Sequence, residues 1–261
     1  MSDRAVSEVL GFILVFSLIV TTTSFVYISG ISELEDRRDV ERVDNAERAF
    51  DVLANNIDDI SQEDAPSRAT EIKLADAQLR FGDATTMTVE ITNLGTPHPT
   101  YSREVAPIVY SAGTGTELVY ESGSIVRTEP NGGVVMKEEP NILFTTNSSD
   151  TRLAVVPYIQ TRSQGESSVG GSTTALVRAD FVNSEVLTAR TDRPSGTYEL
   201  TIKIETTSER GPVWESYLDN EIESAYDVSD ACSVSDGTVK CTSLNVDRLY
   251  VTVTGIDVAF N

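Results

Sequence analysis

Residues 1–30, "MSDRAVSEVLGFILVFSLIVTTTSFVYISG", decide the fold, because a short charged stretch is followed at once by a long apolar segment. From Val9 to Ser32 the chain has no charged residue. A helix of these 24 residues would be about 36 Å long, and the hydrocarbon core of a bilayer is about 30 Å thick. The pattern therefore predicts a membrane-spanning helix at residues 9–32.

The position of the small residues distinguishes this segment from a secretory signal peptide. A secretory signal has a shorter apolar region, and its small-residue cleavage site comes after that region. Here Ala5 follows Arg4 and lies before the apolar segment. This order predicts that a short leader, residues 1–5, is removed while the apolar helix stays on the mature chain. The alternative is cleavage after Gly30, which would release a secreted protein.

Residues 3–20, "DRAVSEVLGFILVFSLIV", resemble the N-terminus of archaeal type IV pilins, in which a short charged leader and a small residue precede an apolar helix. Ala5 would be the last leader residue and Val6 the new N-terminus. Glu8 stands where the archaeal pattern usually has proline. Residues 45–79 also resemble haloarchaeal pilin-like proteins. The positions that match the start of a mature pilin are Ser7, Val9, Leu10 and Gly11.

The resemblance implies a route from the membrane to a surface filament. A prepilin peptidase would cut between Ala5 and Val6, with Arg4 on the cytoplasmic side. Membrane lipid would hold the chain until it assembled with other pilin subunits, and the body of the protein would be extracellular. Glu8 would then lie in the filament core, where an unpaired carboxylate is costly. It is therefore expected to pair with the new amino terminus of a neighbouring subunit.

The helical pattern continues beyond the membrane segment. Steps of three and four residues separate the apolar positions, which predicts an amphipathic helix over residues 33–64. Pro66 ends it, because the residue before a proline avoids helical angles. One N-terminal helix is thus predicted over residues 6–65. Its apolar stripe either packs in a core or forms a coiled coil between subunits, and it consists of Val43, Ala46, Phe50, Leu53, Ile57 and Ile60.

From residue 71 onward the period changes to that of β-strands. Segments such as "TTMTVEITN" and "YELTIKIETT" alternate apolar and polar residues, and turns rich in Gly, Pro, Asn and Ser connect them. One helix is predicted at residues 211–226, where Trp214 and Tyr226 either pack on the sheet or stack on a ligand. The chain is therefore predicted to be α+β, with an antiparallel, sandwich-like extracellular domain over residues 71–261.

The two cysteines lie in "CSVSDGTVKC", residues 232–241. A two-residue type I′ turn at Asp236-Gly237 would place Cys232 directly opposite Cys241, in a non-hydrogen-bonded pair with α-carbons about 4.5 Å apart. This separation is within reach of a disulfide. A disulfide would indicate an oxidising, external compartment. Two free thiols or a metal-binding pair are the alternatives.

Asn147 begins the sequon Asn147-Ser148-Ser149, which lies between two predicted strands. Such a position suits a surface glycan if the domain is outside the cell. The alternative is a chance match to a three-residue motif.

The formal net charge of -21 argues against nucleic acid as a partner, because phosphate binding needs clustered Lys and Arg. Lysine is rare among the cationic residues, which are mostly arginine. An acid-rich, lysine-poor surface stays soluble where salt screens charge, and this favours a halophilic source. An ordinary acidic extracellular protein is the alternative.

The residues do not indicate an enzyme. His98 is the one histidine, so it cannot share a zinc site with a second imidazole, and no acid partner suggests a triad. No Gly-rich run carries a phosphate-binding lysine. We therefore predict no catalytic residue, metal or cofactor. A minor pilin-like subunit at the cell surface or in a pilus is the first hypothesis, and a permanently anchored ectodomain that binds a ligand or partner is the second; an anchored hydrolase is the third.

Overall fold

The computed structural model describes residues 2–63, 65–92, 99–191 and 197–261, so His98 lies outside the described residues. The chain divides into two compact units, Met1–Asp44 and Asn45–Asn261. Helix α1 runs from Ser2 to Gln62, and its residues to Asp44 make up the described part of the first unit.

Helix α1 ends slightly before the predicted end at residue 64. The backbone N–H groups of Glu63 and Ala65 both donate to the carbonyl oxygen of Asp59, at 3.1 and 3.2 Å. The bond from Glu63 follows the helical i to i−4 pattern, whereas the bond from Ala65 spans six residues and so marks the end of the helix. The chain then turns into the first strand, which begins one residue after Pro66 and earlier than the predicted residue 71.

The described part of the second unit contains sixteen strands and one further helix. The first eight strands are β1 (Ser67–Lys73), β2 (Ala77–Phe81), β3 (Thr85–Thr92), β4 (Thr100–Val105), β5 (Ile108–Ser111), β6 (Glu117–Glu121), β7 (Ser124–Thr128) and β8 (Val134–Glu138). The remaining elements are β9 (Leu143–Thr146), β10 (Arg152–Ser163), β11 (Ser168–Gly171), β12 (Thr174–Arg190), β13 (Tyr198–Glu205), α2 (Gly211–Tyr226), β14 (Cys232–Ser235), β15 (Thr238–Val246) and β16 (Arg248–Phe260).

These strands form three sheets, where the sequence predicted a sandwich of two. The strand orders are β1-β12-β16-β10-β9, β11-β2-β5-β6-β7-β8 and β14-β15-β13-β3-β4. The first of these, the central sheet, contains the one parallel pair among the described strands, β10 with β16. A parallel pair requires a long connection, and here that connection includes β11 to β15 and α2. The α+β class and the largely antiparallel pairing are confirmed.

Alternation of apolar and polar residues predicts a single strand in each of four segments that the structure divides between two strands: residues 71–81, 104–112, 116–128 and 133–144. Residues 71–81 divide at Ala75 and Asp76, which both have positive φ angles (49° and 75°). Residues 116–128 form the β6–β7 hairpin, in which Ser122 and Gly123 have φ angles of 47° and 91°. Residues 104–112 divide between β4 and β5. Positive φ is uncommon outside Gly, Asn and Asp, so the turn at Ala75 gave little sequence signal.

Two apolar cores pack against opposite faces of the central sheet. The first contains side chains from β13, β15 and α2, and the second contains side chains from β2, β5 and the end of α1. Strand β16 supplies Leu249, Val251 and Val253 to the first core and Ile256, Val258 and Phe260 to the second. Successive side chains of a strand point to opposite faces of the sheet, so the odd-numbered residues of β16 face the first core and the even-numbered ones face the second. Strand β16 therefore contributes to both cores.

The apolar stripe of α1 packs in the second core of its own chain. Ala46, Phe50, Leu53, Ile57 and Ile60 are all buried there. Burial of side chains such as Phe50 and Leu53 contributes about 1.5 to 3 kcal/mol each. The core-packing interpretation of these five positions therefore fits the structure.

A buried carboxylate connects two of the sheets. Glu121, at the end of β6, is fully buried and forms an ion pair with Arg210, whose Nε lies 3.1 Å from Glu121 Oε2. Trp214 Nε1 donates to the same oxygen at 3.1 Å, and the hydroxyl of Thr206 donates to Oε1 at 2.8 Å. The hydroxyl of Thr85, on β3, also donates to Oε1. Every oxygen of this buried acid is thus hydrogen-bonded, as burial of a charge requires.

Glu47 holds α1 to the second sheet. Its carboxylate pairs with Arg127 on β7 at 3.0 Å and with Lys137 on β8 at 2.6 Å. Burial by itself would raise the pKa of Glu47, but the hydrogen bonds and charges of Lys137 and Arg127 lower it below its usual value of 4.5. Burial, and then the charge of Glu47, raise the pKa of nearby Asp51 above 3.8.

These two carboxylates predict opposite responses to acid. A lowered pKa in the folded state means that Glu47 stabilises the protein above about pH 4.5 and that this contribution is lost as the pH falls through the lowered folded pKa. The stability advantage of the wild type over Glu47→Gln should therefore shrink from about pH 6 to about pH 3. This difference in the free energy of unfolding is measured by urea unfolding, with the fluorescence of Trp214, the one tryptophan, as the signal. Asp51→Asn is the control. Because the pKa of Asp51 is raised in the folded state, the stability of the wild type relative to this variant should increase as the pH falls over the same range.

Candidate membrane and assembly segment

The apolar segment of α1, Val9 to Ile31, is the candidate functional site. Its large apolar side chains are exposed; Phe12, Leu14 and Phe25 keep about 70% of their surface (70%, 71% and 71%). Among the described residues, α1 is the one helix that is long and apolar enough to cross a membrane, judged by length and composition. Exposed apolar surface of this extent marks a site of contact with lipid or protein.

Two threonines in the middle of this segment form hydrogen bonds within the helix. The hydroxyl of Thr21 donates to the carbonyl of Ser17 at 2.7 Å, and that of Thr22 donates to the carbonyl of Leu18 at 2.8 Å. An unsatisfied hydroxyl in hydrocarbon costs several kcal/mol. The absence of charge from this segment does not by itself predict this bonding, although Thr side chains within helices commonly bond back one turn.

After Ile31 the helix becomes strongly charged. Arg37 pairs with Glu33 at 3.1 Å, and Arg42 pairs with Asp39 at 3.0 Å. The first of these pairs is largely exposed, so it contributes little to stability. This charge marks a clear end to the apolar segment.

The predicted leader residues lie at the start of α1. The backbone of Arg4, Ala5, Val6 and Glu8 is helical, and their side chains lie outside the described part of the chain. Cleavage between Ala5 and Val6 and pairing of Glu8 therefore stay predictions. A peptidase that cuts there would act on the first turns of the helix, which are the turns that unwind most easily.

The hairpin of β14 and β15 carries a disulfide between Cys232 and Cys241. The two cysteines are paired directly across the hairpin, with an S–S distance of 2.04 Å and α-carbons 4.0 Å apart. Both turn residues, Asp236 and Gly237, have positive φ angles (47° and 76°), as a type I′ turn requires. Closing so short a loop contributes about 2 to 3 kcal/mol.

Changing Gly237 to alanine is expected to destabilise this hairpin by more than the roughly 1 kcal/mol that positive φ costs an ordinary residue. A Cβ at this position would meet backbone atoms of residues 206–208, including Ser208 N at 2.8 Å. Backbone cannot move aside as a flexible side chain can. Gly132→Ala is the matched control, because Gly132 also has positive φ (83°) but has open space around it. Equal shifts in the urea midpoint for both variants would contradict the steric argument.

Asn147 lies in the exposed turn between β9 and β10. Its side-chain oxygen accepts hydrogen bonds from the backbone N–H groups of Ser149 and Thr151, at 2.9 and 3.0 Å. The structure thus places the sequon at the surface.

The aromatic residues of α2 belong to the first core and do not form a ligand site. Trp214 and Tyr226 are both buried, and the hydroxyl of Tyr226 donates to the carbonyl of Leu153 at 2.6 Å. The described residues contain no group of three or more His, Cys, Asp or Glu that could hold a metal ion. A cavity of about 210 Å³ beside Gln62, Asn141 and Thr254 is lined by uncharged residues.

Comparison with known proteins places the apolar segment and the β-rich unit in one family. No curated protein matches the chain, and no solved structure matches it. The match of a family of unknown function, DUF7289, covers residues 4–259 and so extends from the first turn of α1 almost to the end of β16. The chain belongs to this family of unknown function, DUF7289.

Proposed function

We propose that this chain is a type IV pilin-like subunit, of the minor kind, in a cell-surface filament. The observation that carries the proposal is the apolar segment from Val9 to Ile31, whose large side chains are exposed and which follows the charged residues Arg4 and Glu8. An apolar segment that is kept on the mature chain can first anchor the chain in the lipid bilayer and later pack against copies of itself in a filament. The resemblance of residues 3–20 to archaeal pilins supports the same conclusion.

In this proposal the membrane holds the chain before assembly, with Arg4 in the cytoplasm and the β-rich unit outside. A prepilin peptidase removes residues 1–5. The freed helix then exchanges contact with lipid for contact with the helices of other subunits, an exchange that costs little because both surroundings are apolar. The internal hydrogen bonds of Thr21 and Thr22 suit both states, since neither hydroxyl needs a partner from outside the helix.

Glu8 has a specific role in this mechanism. A carboxylate in the core of a helical filament needs a cationic partner, and removal of residues 1–5 creates one at the amino group of Val6 of a neighbouring subunit. Glu8→Ala should leave the chain in the membrane and abolish its recovery in sheared filaments. Intact assembly of this variant would remove the pairing from the proposal.

A second candidate function is a permanently anchored ectodomain that binds a ligand or partner. The size of the second unit, residues 45–261 with two cores, favours a protein whose body has its own task. Both functions use the same anchor. They differ in the fraction that contains the protein: sheared filaments for a pilin, and membranes alone for an ectodomain.

The test of the proposed function is the N-terminal sequence and intact mass of the protein from native membranes. A mature chain that begins at Val6 is the expected result. A chain that keeps Met1, or loses Met1 alone, would favour the anchored ectodomain. A start near Ile31 would indicate a secreted protein and would contradict both candidates.

A further inference from the structure

The side-chain amide of Asn147 is exposed to solvent, and the proposed filament function does not use it. Asn147-Ser148-Ser149 is the one Asn-X-Ser/Thr sequon in the sequence. All three residues are exposed, and they lie in the turn between β9 and β10. Strand β9 is the last strand of the central sheet, so this turn is at the margin of the sheet.

The turn fixes the orientation of the Asn147 side chain. Two backbone N–H groups, of Ser149 and Thr151, donate to its side-chain oxygen. A donor cannot bond to the amide nitrogen, so this contact also identifies which end of the amide is Oδ1. The other end, Nδ2, has no partner among the described residues and is left to the solvent. An amide with its oxygen bound and its nitrogen exposed is arranged as an acceptor of a substituent on nitrogen.

The hydrogen bonds that hold this arrangement are local to the turn between β9 and β10. The backbone N–H of Asn147 bonds to the carbonyl of Thr151 at 3.1 Å, and that of Asp150 bonds to the carbonyl of Asn147 at 3.0 Å. Together with the two side-chain bonds, all contacts lie within residues 147–151. Turns of this kind form through local hydrogen bonds of the Asn side chain. The acceptor geometry is therefore fixed by hydrogen bonds within the turn itself.

We propose that Asn147 carries an N-linked saccharide. The donor would be a saccharide attached to a lipid phosphate, and an oligosaccharyltransferase outside the membrane would catalyse the transfer. A bond forms between Nδ2 and the anomeric carbon of the sugar, while the bond from that carbon to the phosphate oxygen breaks. The lipid phosphate leaves with the electron pair, and a proton from Nδ2 passes to a base. This inference rests on the proposed placement of the β-rich unit outside the cell.

The experiment uses the full chain from the membranes of its native host. Cleavage after Lys137 and Arg152 yields one peptide, residues 138–152, that contains Asn147. Fragment mass spectrometry of this peptide is compared for the wild type, Ser149→Ala and Ser148→Ala. Ser149→Ala destroys the sequon but keeps the backbone N–H that bonds to Asn147, so the turn is retained. Ser148→Ala changes the neighbouring serine and keeps the sequon.

The expected result is a saccharide mass on nearly all of the peptide from the wild type and Ser148→Ala, and on none from Ser149→Ala. An unmodified wild-type peptide would overturn the inference. If that chain also began at Val6 and had an intact disulfide, the glycan alone would fail and the pilin-like function would stand. If that chain had free thiols and no membrane association, the glycan and the proposed function would fail together. A saccharide that persists in Ser149→Ala would also overturn the assignment to this sequon.

Discussion

Replacing Glu121 with alanine is expected to lower the free energy of unfolding by about 3 to 5 kcal/mol. The change leaves the guanidinium of Arg210 buried, with 7% of the residue exposed, and without its counter-charge. It also removes the acceptor for the indole N–H of Trp214. Breaking a buried pair by removing one partner is far more costly than breaking an exposed pair, because the remaining charge cannot return to water.

A variant at a partly exposed glutamate of the same strand tests whether the expected loss of stability comes from burial of the ion pair or from loss of the charge alone. Glu117 also lies on β6 and pairs with Arg80 at 3.3 Å, but both side chains are partly exposed. Glu117→Ala should therefore cost no more than about 1 kcal/mol. Both variants are measured by urea unfolding of the full chain in detergent, with the fluorescence of Trp214 as the signal. Equal losses for the two variants would contradict the interpretation of Glu121 as a buried connection between sheets.

The second large effect is expected for two acidic substitutions in the apolar segment. Val15→Asp with Ile19→Asp places two carboxylates one helical turn apart, near the middle of the predicted span. Each aspartate at the centre of a membrane helix costs about 3 kcal/mol, so the pair should oppose insertion by about 6 kcal/mol. The protein should move from the membrane fraction to the soluble or degraded fraction in a flotation experiment.

The control places the same substitutions outside the predicted span. Leu34 and Val40 lie on the same helix and are exposed to 57% and 61%, much like Val15 and Ile19 at 58% and 56%. Leu34→Asp with Val40→Asp should float with the membranes as the wild type does. If both double variants left the membrane, the anchor could not be assigned to residues 9–32. If neither did, the apolar segment would not be the anchor.

Features that depend on neighbouring residues were predictable from the sequence. The register of the β14–β15 hairpin follows from Asp236-Gly237, because a type I′ turn fixes the residues that face each other. The five-residue stripe from Ala46 to Ile60 follows from helical spacing. In both cases the residues that specify the structure are close in the sequence to the residues that adopt it. The β-rich class follows in the same way from the alternation of apolar and polar residues.

Features that depend on distant residues were not predictable. Glu121 lies in "ESGS", which has the composition of a turn, and its partner Arg210 is far away in the sequence. The parallel pairing of β10 with β16 likewise joins strands that are separated in the sequence by residues 164–247. Alternation predicts that a segment is a strand, but it does not predict which strand lies beside it.

Strand β16 also determines when the protein can fold. It is the middle strand of the central sheet and supplies side chains to both cores, yet it follows all the other strands in the chain. During synthesis, residues 45–247 therefore emerge without the strand that closes either core. Neither core can close until residues 248–260 have also been synthesised, so the second unit completes its fold only after the whole of its β-rich sequence is available.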